Sequence, residues 1–211
     1  MTAGVAREAS ADDGTKTKTF TVLHTLLARC FEHPDDETAA AISSGQLGRE
    51  IRRRAEDTGI DFQQQPTPEQ PREAYLRTFE AYEGEFAPPA ESAYKEWWDG
   101  TERGILSGPP AHDMQRRYDE LDAEIPPAYP ADHIALLLEY GSLLLEAGKT
   151  AKYLDFHEQH FDWIPTFRER IEQTGDEPFY EWAVATLETV LERTVAQITE
   201  LQAHGGKTDE Q

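Results

Sequence analysis

Apolar residues recur three or four positions apart along most of the chain, and this spacing predicts helices almost throughout. Phe20, Leu23, Leu27 and Cys30 form one such face, and Pro34 ends that helix after His33. Leu47, Ile51 and Ala55 form a second, stopping at Gly59. After a link rich in Gln and Pro, Gln63 to Pro68, the run Thr67-Pro68-Glu69-Gln70 offers a cap, a first-turn proline and a third-position amide. The helix predicted there carries Tyr75, Phe79 and Tyr82 on one face. Pro88, Pro89, Pro109 and Pro110 bracket a less regular region holding Tyr94, Trp97 and Trp98. Met114, Tyr118 and Leu121 then mark a helix that Pro126 and Pro127 stop.

From Asp132 to Leu145 the pattern changes. Ile134, Leu136, Leu137, Leu138, Tyr140, Leu143, Leu144 and Leu145 surround the whole helix, which predicts burial on every side. Shorter helices are expected near Tyr153 to Phe161 and Pro165 to Thr174, the latter closed by Gly175. The last starts around Pro178 and shows Tyr180, Val184, Leu187, Leu191, Val195 and Ile198. No segment alternates as a strand does, and no internal repeat is present. The reading is an all-α, single-domain bundle over residues 17–203, packed around a buried helix at about 132–147. Polar, glycine-containing stretches at 1–16 and 204–211 read as disordered tails.

Charge adds a constraint. Of the 211 residues, 41 are acidic and 20 basic, for a net charge of −21. Such a chain repels nucleic acid and anionic lipid, so neither is an expected partner. The acidity suits a solvated surface at high salt, or a face that attracts a basic segment. A single cysteine, Cys30, excludes an internal disulfide framework and reads as a small core residue. No stretch is apolar enough to span a membrane, and Met1 to Lys18 lacks the apolar core of an export signal. A cytoplasmic location is expected.

Familiar catalytic patterns fail on spacing. Gly148-Lys149-Thr150 and Gly206-Lys207-Thr208 lack the earlier glycine of a phosphate-cradling loop, the positions being Leu143 and Leu201. His157 and His160 are three apart, one residue too close for a zinc-protease helix. Ser92 has no nucleophile-elbow glycines around it. The competing reading of a small helical metal protein or enzyme would use Asp132, His133, His157 and His160. A permanent structural subunit of a respiratory complex is a further alternative.

Four segments, in order, carry a resemblance. They are Glu73-Ala-Tyr75-Leu-Arg-Thr-Phe79; Pro88-Pro89-Ala90-Glu91-Ser92-Ala93-Tyr94; Pro130-Ala131-Asp132-His133-Ile134 running on to Glu139-Tyr140; and Phe156-x-x-x-His160-x-x-Trp163-Ile164-Pro165-x-Phe167 leading to Phe179-Tyr180. Together they resemble the TorD/DmsD/NarJ family of redox-enzyme maturation chaperones, over about residues 20–195. The resemblance implies an all-helical protein without a catalytic site or cofactor of its own, acting as monomer or weak homodimer. It implies a partner as well: the apo catalytic subunit of a molybdopterin oxidoreductase, of the dimethyl sulfoxide, trimethylamine oxide or nitrate reductase type, bound through its twin-arginine signal peptide. It places the client peptide at Tyr75, Phe79, Pro88, Pro89, Glu91, Ser92, Tyr94, Asp132 and His133.

Such a peptide is a basic pair followed by an apolar helix-former, and its receptor needs an apolar groove with acidic groups at one end. Aromatic walls from Tyr75, Phe79 and Tyr94, with Glu91 and Asp132 as guanidinium partners, meet that need. Each residue also has a structural reading. Tyr75 and Phe79 are spaced for core, as are Trp163 and Phe167; Asp132 suits a helix N-cap against which His133 packs; Glu91 and Ser92 suit a cap of a short helix holding Tyr94. Two positions depart from the family pattern: Ala90 stands where an aromatic is common, and Leu137 where many members are acidic.

Overall fold

Helix α6, Ile134–Glu146, lies along the first helix of the chain and packs against the helix that follows it. Ile134 to Leu138, Gly141, Ser142, Leu144 and Leu145 are all buried on it. Its burial is not complete: Leu143 is 44% exposed, and Glu139 and Tyr140 are half-covered, so one strip faces solvent. In the computed structural model, residues 2–80, 85–95, 108–175 and 177–205 are described, with side chains described between residues 15 and 203. Among them are nine α-helices and no strand, an all-α single domain.

The long α1, Thr2–Phe31, lies along α6 and also touches α9, Pro178–Gly205, and α3, Gln46–Glu56. Its apolar face is the predicted one, with Phe20, Leu23, Leu27 and Cys30 buried. The bounds of α1 reach back through the stretch read as a tail, where Ala3, Ala6, Ala9 and Ala11 favour a helix and no proline interrupts it. Burial pushes the Cys30 thiol far above its ordinary range, which suits an inert core residue.

Sequence periodicity missed α2, Asp36–Ser43, because its DETAAAIS run is too short to show a repeat. Its signal was the cap: the Asp35 carboxylate accepts the Thr38 N–H at 2.7 Å. Helix α4, Pro71–Phe79, begins three residues later than the Thr67-Pro68 start signal, with Pro71 rather than Pro68 in its first turn. The delay has a cause in the link before it. Gln65 is buried there, donating to the Ile42 carbonyl at 2.9 Å and accepting the Gly48 N–H, so the chain stays extended to satisfy α2 and α3.

Helices α5, Pro109–Asp119, α7, Thr150–His160, and α8, Ile164–Thr174, follow as expected, and Gly175 closes α8 with φ of 72°. Leu121, read as part of the α5 face, lies beyond the helix and is 48% exposed. Tyr82, Trp97 and Trp98 fall outside the described residues.

Candidate functional site

Two loops meet at the head of α6. One, residues 85–90, leads into a 3-10 turn at Glu91–Ala93; the other, residues 130–133, leads into α6. Prolines supply carbonyls but no N–H groups, and the pairing obeys that limit. The Ile134 N–H donates to the Pro89 carbonyl at 2.9 Å, and the Glu91 N–H donates to the Asp132 carbonyl at 3.2 Å. The Asp132 carboxylate accepts the Ser92 N–H at 2.6 Å. Ala90 and His133 form an isolated antiparallel bridge between the same loops. The Pro-Glu-Ser-Tyr and Asp-His segments, 40 residues apart, are therefore one unit.

Asp132 does not cap α6. That role falls to His133, whose Nδ1 accepts the Ala135 N–H at 3.2 Å. Nδ1 as acceptor leaves the ring proton on Nε2. Burial lowers the His133 pKa to about 3, so the ring is neutral. Burial likewise raises the Asp132 carboxyl above its ordinary value, against the opposing pull of the Ser92 hydrogen bond.

Nor does Glu91 cap the short turn. Its carboxylate is buried and takes Lys95 Nζ at 2.8 Å and His160 Nδ1 at 2.7 Å. His160 Nε2 lies 3.0 Å from Asp113, so each ring nitrogen sits beside a carboxylate oxygen. Burial would raise the Asp113 carboxyl, but Arg117 and Arg116 beside it win and hold it at about 2. This network pins the loop to α5 and α7.

In front of the joined loops lies a cleft of about 390 Å³. It is lined by Tyr75, Phe79, Glu80 and Phe86, by Pro88, Pro89 and Ala90 of the first loop, by Ala128, Tyr129, Pro130 and His133 ahead of α6, and by His33. Of the residues predicted for client binding, Tyr75, Phe79, Pro88, Pro89 and His133 line this cleft; Glu91, Ser92, Tyr94 and Asp132 are not among its lining. Those four hold the loop in place, Tyr94 by stacking on Trp163 with centroids 5.1 Å apart. Tyr75 and Phe79 are also core, as their spacing predicts.

The sequence reading missed Tyr129, His33, Phe86 and Glu80. Tyr129 directly precedes the Pro130-to-Tyr140 segment, and this adjacency was its only signal. Ala90 presents a methyl group where an aromatic ring would fill the cleft.

Among the described residues, the buried side-chain polar atoms without a hydrogen-bond partner are Ser92 Oγ, Tyr94 OH, Asp132 Oδ1 and His133 Nε2. All four belong to the two joined loops. No three His, Cys, Asp or Glu side chains among the described residues are arranged to hold a metal ion, so Asp132, His133, His157 and His160 form no such centre. No described helix is long and apolar enough to cross a membrane.

The sequence pattern of the nitrate reductase delta subunit family matches residues 45–174, more than half of the chain and including both loops. No curated protein matches the chain. An all-helical bundle with this motif order agrees with that match. The chain belongs to the nitrate reductase delta subunit family, the NarJ/TorD type, and is a maturation chaperone for a molybdenum enzyme rather than an enzyme itself.

Proposed function

We propose that this chaperone acts in the cytoplasm, as a monomer or weak homodimer, on the apo catalytic subunit of a nitrate-reductase-type molybdenum enzyme. It receives the twin-arginine signal peptide of that subunit in the cleft between Tyr75, Pro89 and Tyr129, and holds the subunit until its molybdenum cofactor is loaded. The family match supports the nitrate reductase type over the dimethyl sulfoxide and trimethylamine oxide types. The observation that carries the reading is the cleft itself. It has apolar walls of aromatic rings and prolines, and one of its lining residues, His133, bears a buried donor with no acceptor. A peptide brings both apolar side chains and backbone carbonyls.

The test is capture of the tagged full chain from cells making molybdenum enzymes, with mass spectrometry of what comes along. One unprocessed, cofactor-free catalytic subunit is expected, and Ala128→Trp, which fills the cleft from an exposed position, is expected to lose it. Co-purification with only the mature, loaded complex would make the chain a permanent subunit instead.

A further inference from the structure

In a chain with 41 acidic residues and 20 basic ones, a carboxylate counter-ion is the ordinary lot of an arginine. Arg53 and Arg54 share Glu50 at 2.7 and 2.9 Å, and Arg168 takes Glu188 at 2.8 Å. Among the arginines whose side chains are described, Arg49, Arg52 and Arg193 depart from this and pair with no carboxylate.

Two of those three stand together. Arg49 and Arg52, three apart on α3, line one pocket of about 140 Å³ between that helix and the extended link before α4. The pocket shares no residue with the cleft, and none of its lining residues is acidic. Glu50, the acid nearest in sequence, is already held by Arg53 and Arg54.

The guanidinium of Arg49 is fixed at one edge of this space. Its Nη1 donates to the Ser44 carbonyl at 3.0 Å and lies 3.3 Å from where a Cβ on Gly45 would stand. The Thr67 methyl group is 3.4 Å from the same point, so Gly45, at φ of 69°, keeps that corner open. Arg52 is half-buried and has neither a hydrogen bond nor an ion pair among the described residues. Gln65 has spent its amide on Ile42 and Gly48, which leaves the two guanidiniums, the Gln64 amide and the Thr67 hydroxyl as donors.

One guanidinium fork uses both oxygens of a carboxylate, so a carboxylate is served by a single arginine. Two guanidiniums on one small space suit an anion with more oxygens and more than one charge. We propose that this pocket is an oxyanion site that takes a phosphate group, with Arg49 and Arg52 as its charged ligands. The net charge of −21 repels anions from the molecule as a whole, so retention of one here depends on these two side chains.

The experiment follows the arginine Nε–Hε signals of the full chain while inorganic phosphate replaces chloride at constant ionic strength, and repeats the titration with phenyl phosphate. The Arg49 and Arg52 signals are expected to shift saturably. The signal of Arg193, which is exposed and outside the pocket, is expected to stay in place. Arg52→Gln is expected to weaken phosphate binding by about tenfold or more while keeping the urea midpoint measured in chloride. Arg49→Gln is expected to show the same loss and keeps the test open should the first variant not fold; Arg193→Gln is expected to bind as wild type does.

Tighter binding of phenyl phosphate assigns the site to the phosphate of a larger molecule, and equal binding assigns it to the free ion. Shifts that stay linear in phosphate, that appear equally at Arg193, or that survive both pocket substitutions reduce the pocket to ordinary screening and overturn the proposal. The reading of the cleft is untouched by either result.

Discussion

His24 is enclosed between Phe20, whose carbonyl takes the Nδ1 proton at 2.8 Å, and Tyr153, whose hydroxyl donates to Nε2 at 2.7 Å. His133 shows the opposite tautomer, with Nδ1 accepting and Nε2–H free. Burial is the main cause holding both neutral, with pKa values of about 4 for His24 and about 3 for His133, below the ordinary 6.5. A histidine whose folded pKa is depressed contributes stability above pH 6.5, and that stability is lost as pH falls toward the folded value. Each group costs about 1 kcal/mol per pH unit while the unfolded form alone is protonated. Asp132, Glu32 and Glu139 have raised values and oppose the loss, taking up protons in the fold first. The expected outcome is that neither imidazole signal titrates between pH 8 and 5 in long-range proton–nitrogen spectra, and that the two rings show opposite tautomer patterns. A midpoint near 6.5 for either ring would refute it.

At the scale of elements, the joined loops depend on one side chain. Asp132 spans the 40 residues to Ser92 with a buried hydrogen bond, and the sheet-like pairing around it has only a few other bonds. Asp132→Ala leaves the Ser92 N–H unsatisfied in the interior and is expected to cost about 1–3 kcal/mol in urea unfolding. Asp132→Asn keeps an acceptor and discards a buried charge, so its cost is expected to be clearly smaller. Equal losses in the two variants would show that the charge, not the acceptor, holds the loops.

For the whole molecule the decisive quantity is a net charge of −21 spread over a fold whose core is wholly ordinary. Self-repulsion of that size is screened over about 10 Å at 0.1 M salt, so added salt stabilises the fold. Salt also weakens capture of a basic peptide. The two effects oppose each other: raising potassium chloride from low to molar concentration is expected to raise the urea midpoint and to weaken arginine-peptide binding in parallel. A midpoint that does not move with salt would remove the high-salt reading of the surface.

Apolar periodicity was enough to place α1, α3 and α5 to α9, since a helix must bury one stripe and that stripe is written at three- and four-residue spacing. It failed for α2, too short to repeat, and for the start of α4, where the burial of Gln65 overrode a local cap signal. Motif order was enough to indicate the family, because the residues that bind loop to loop recur at fixed intervals. It could not say which of those residues face the cleft. Glu91 and Asp132 carry the charge a basic peptide seeks, yet only the packing shows that Lys95 and His160 already hold Glu91, and that the Ser92 backbone takes one of the two Asp132 oxygens. Conversely His33, Tyr75 and Tyr129 belong to three separate stretches of chain, and no local pattern relates them. Their meeting at the cleft follows from α1 lying along α6, because a side chain has its chemistry in a sequence but its partners only in space.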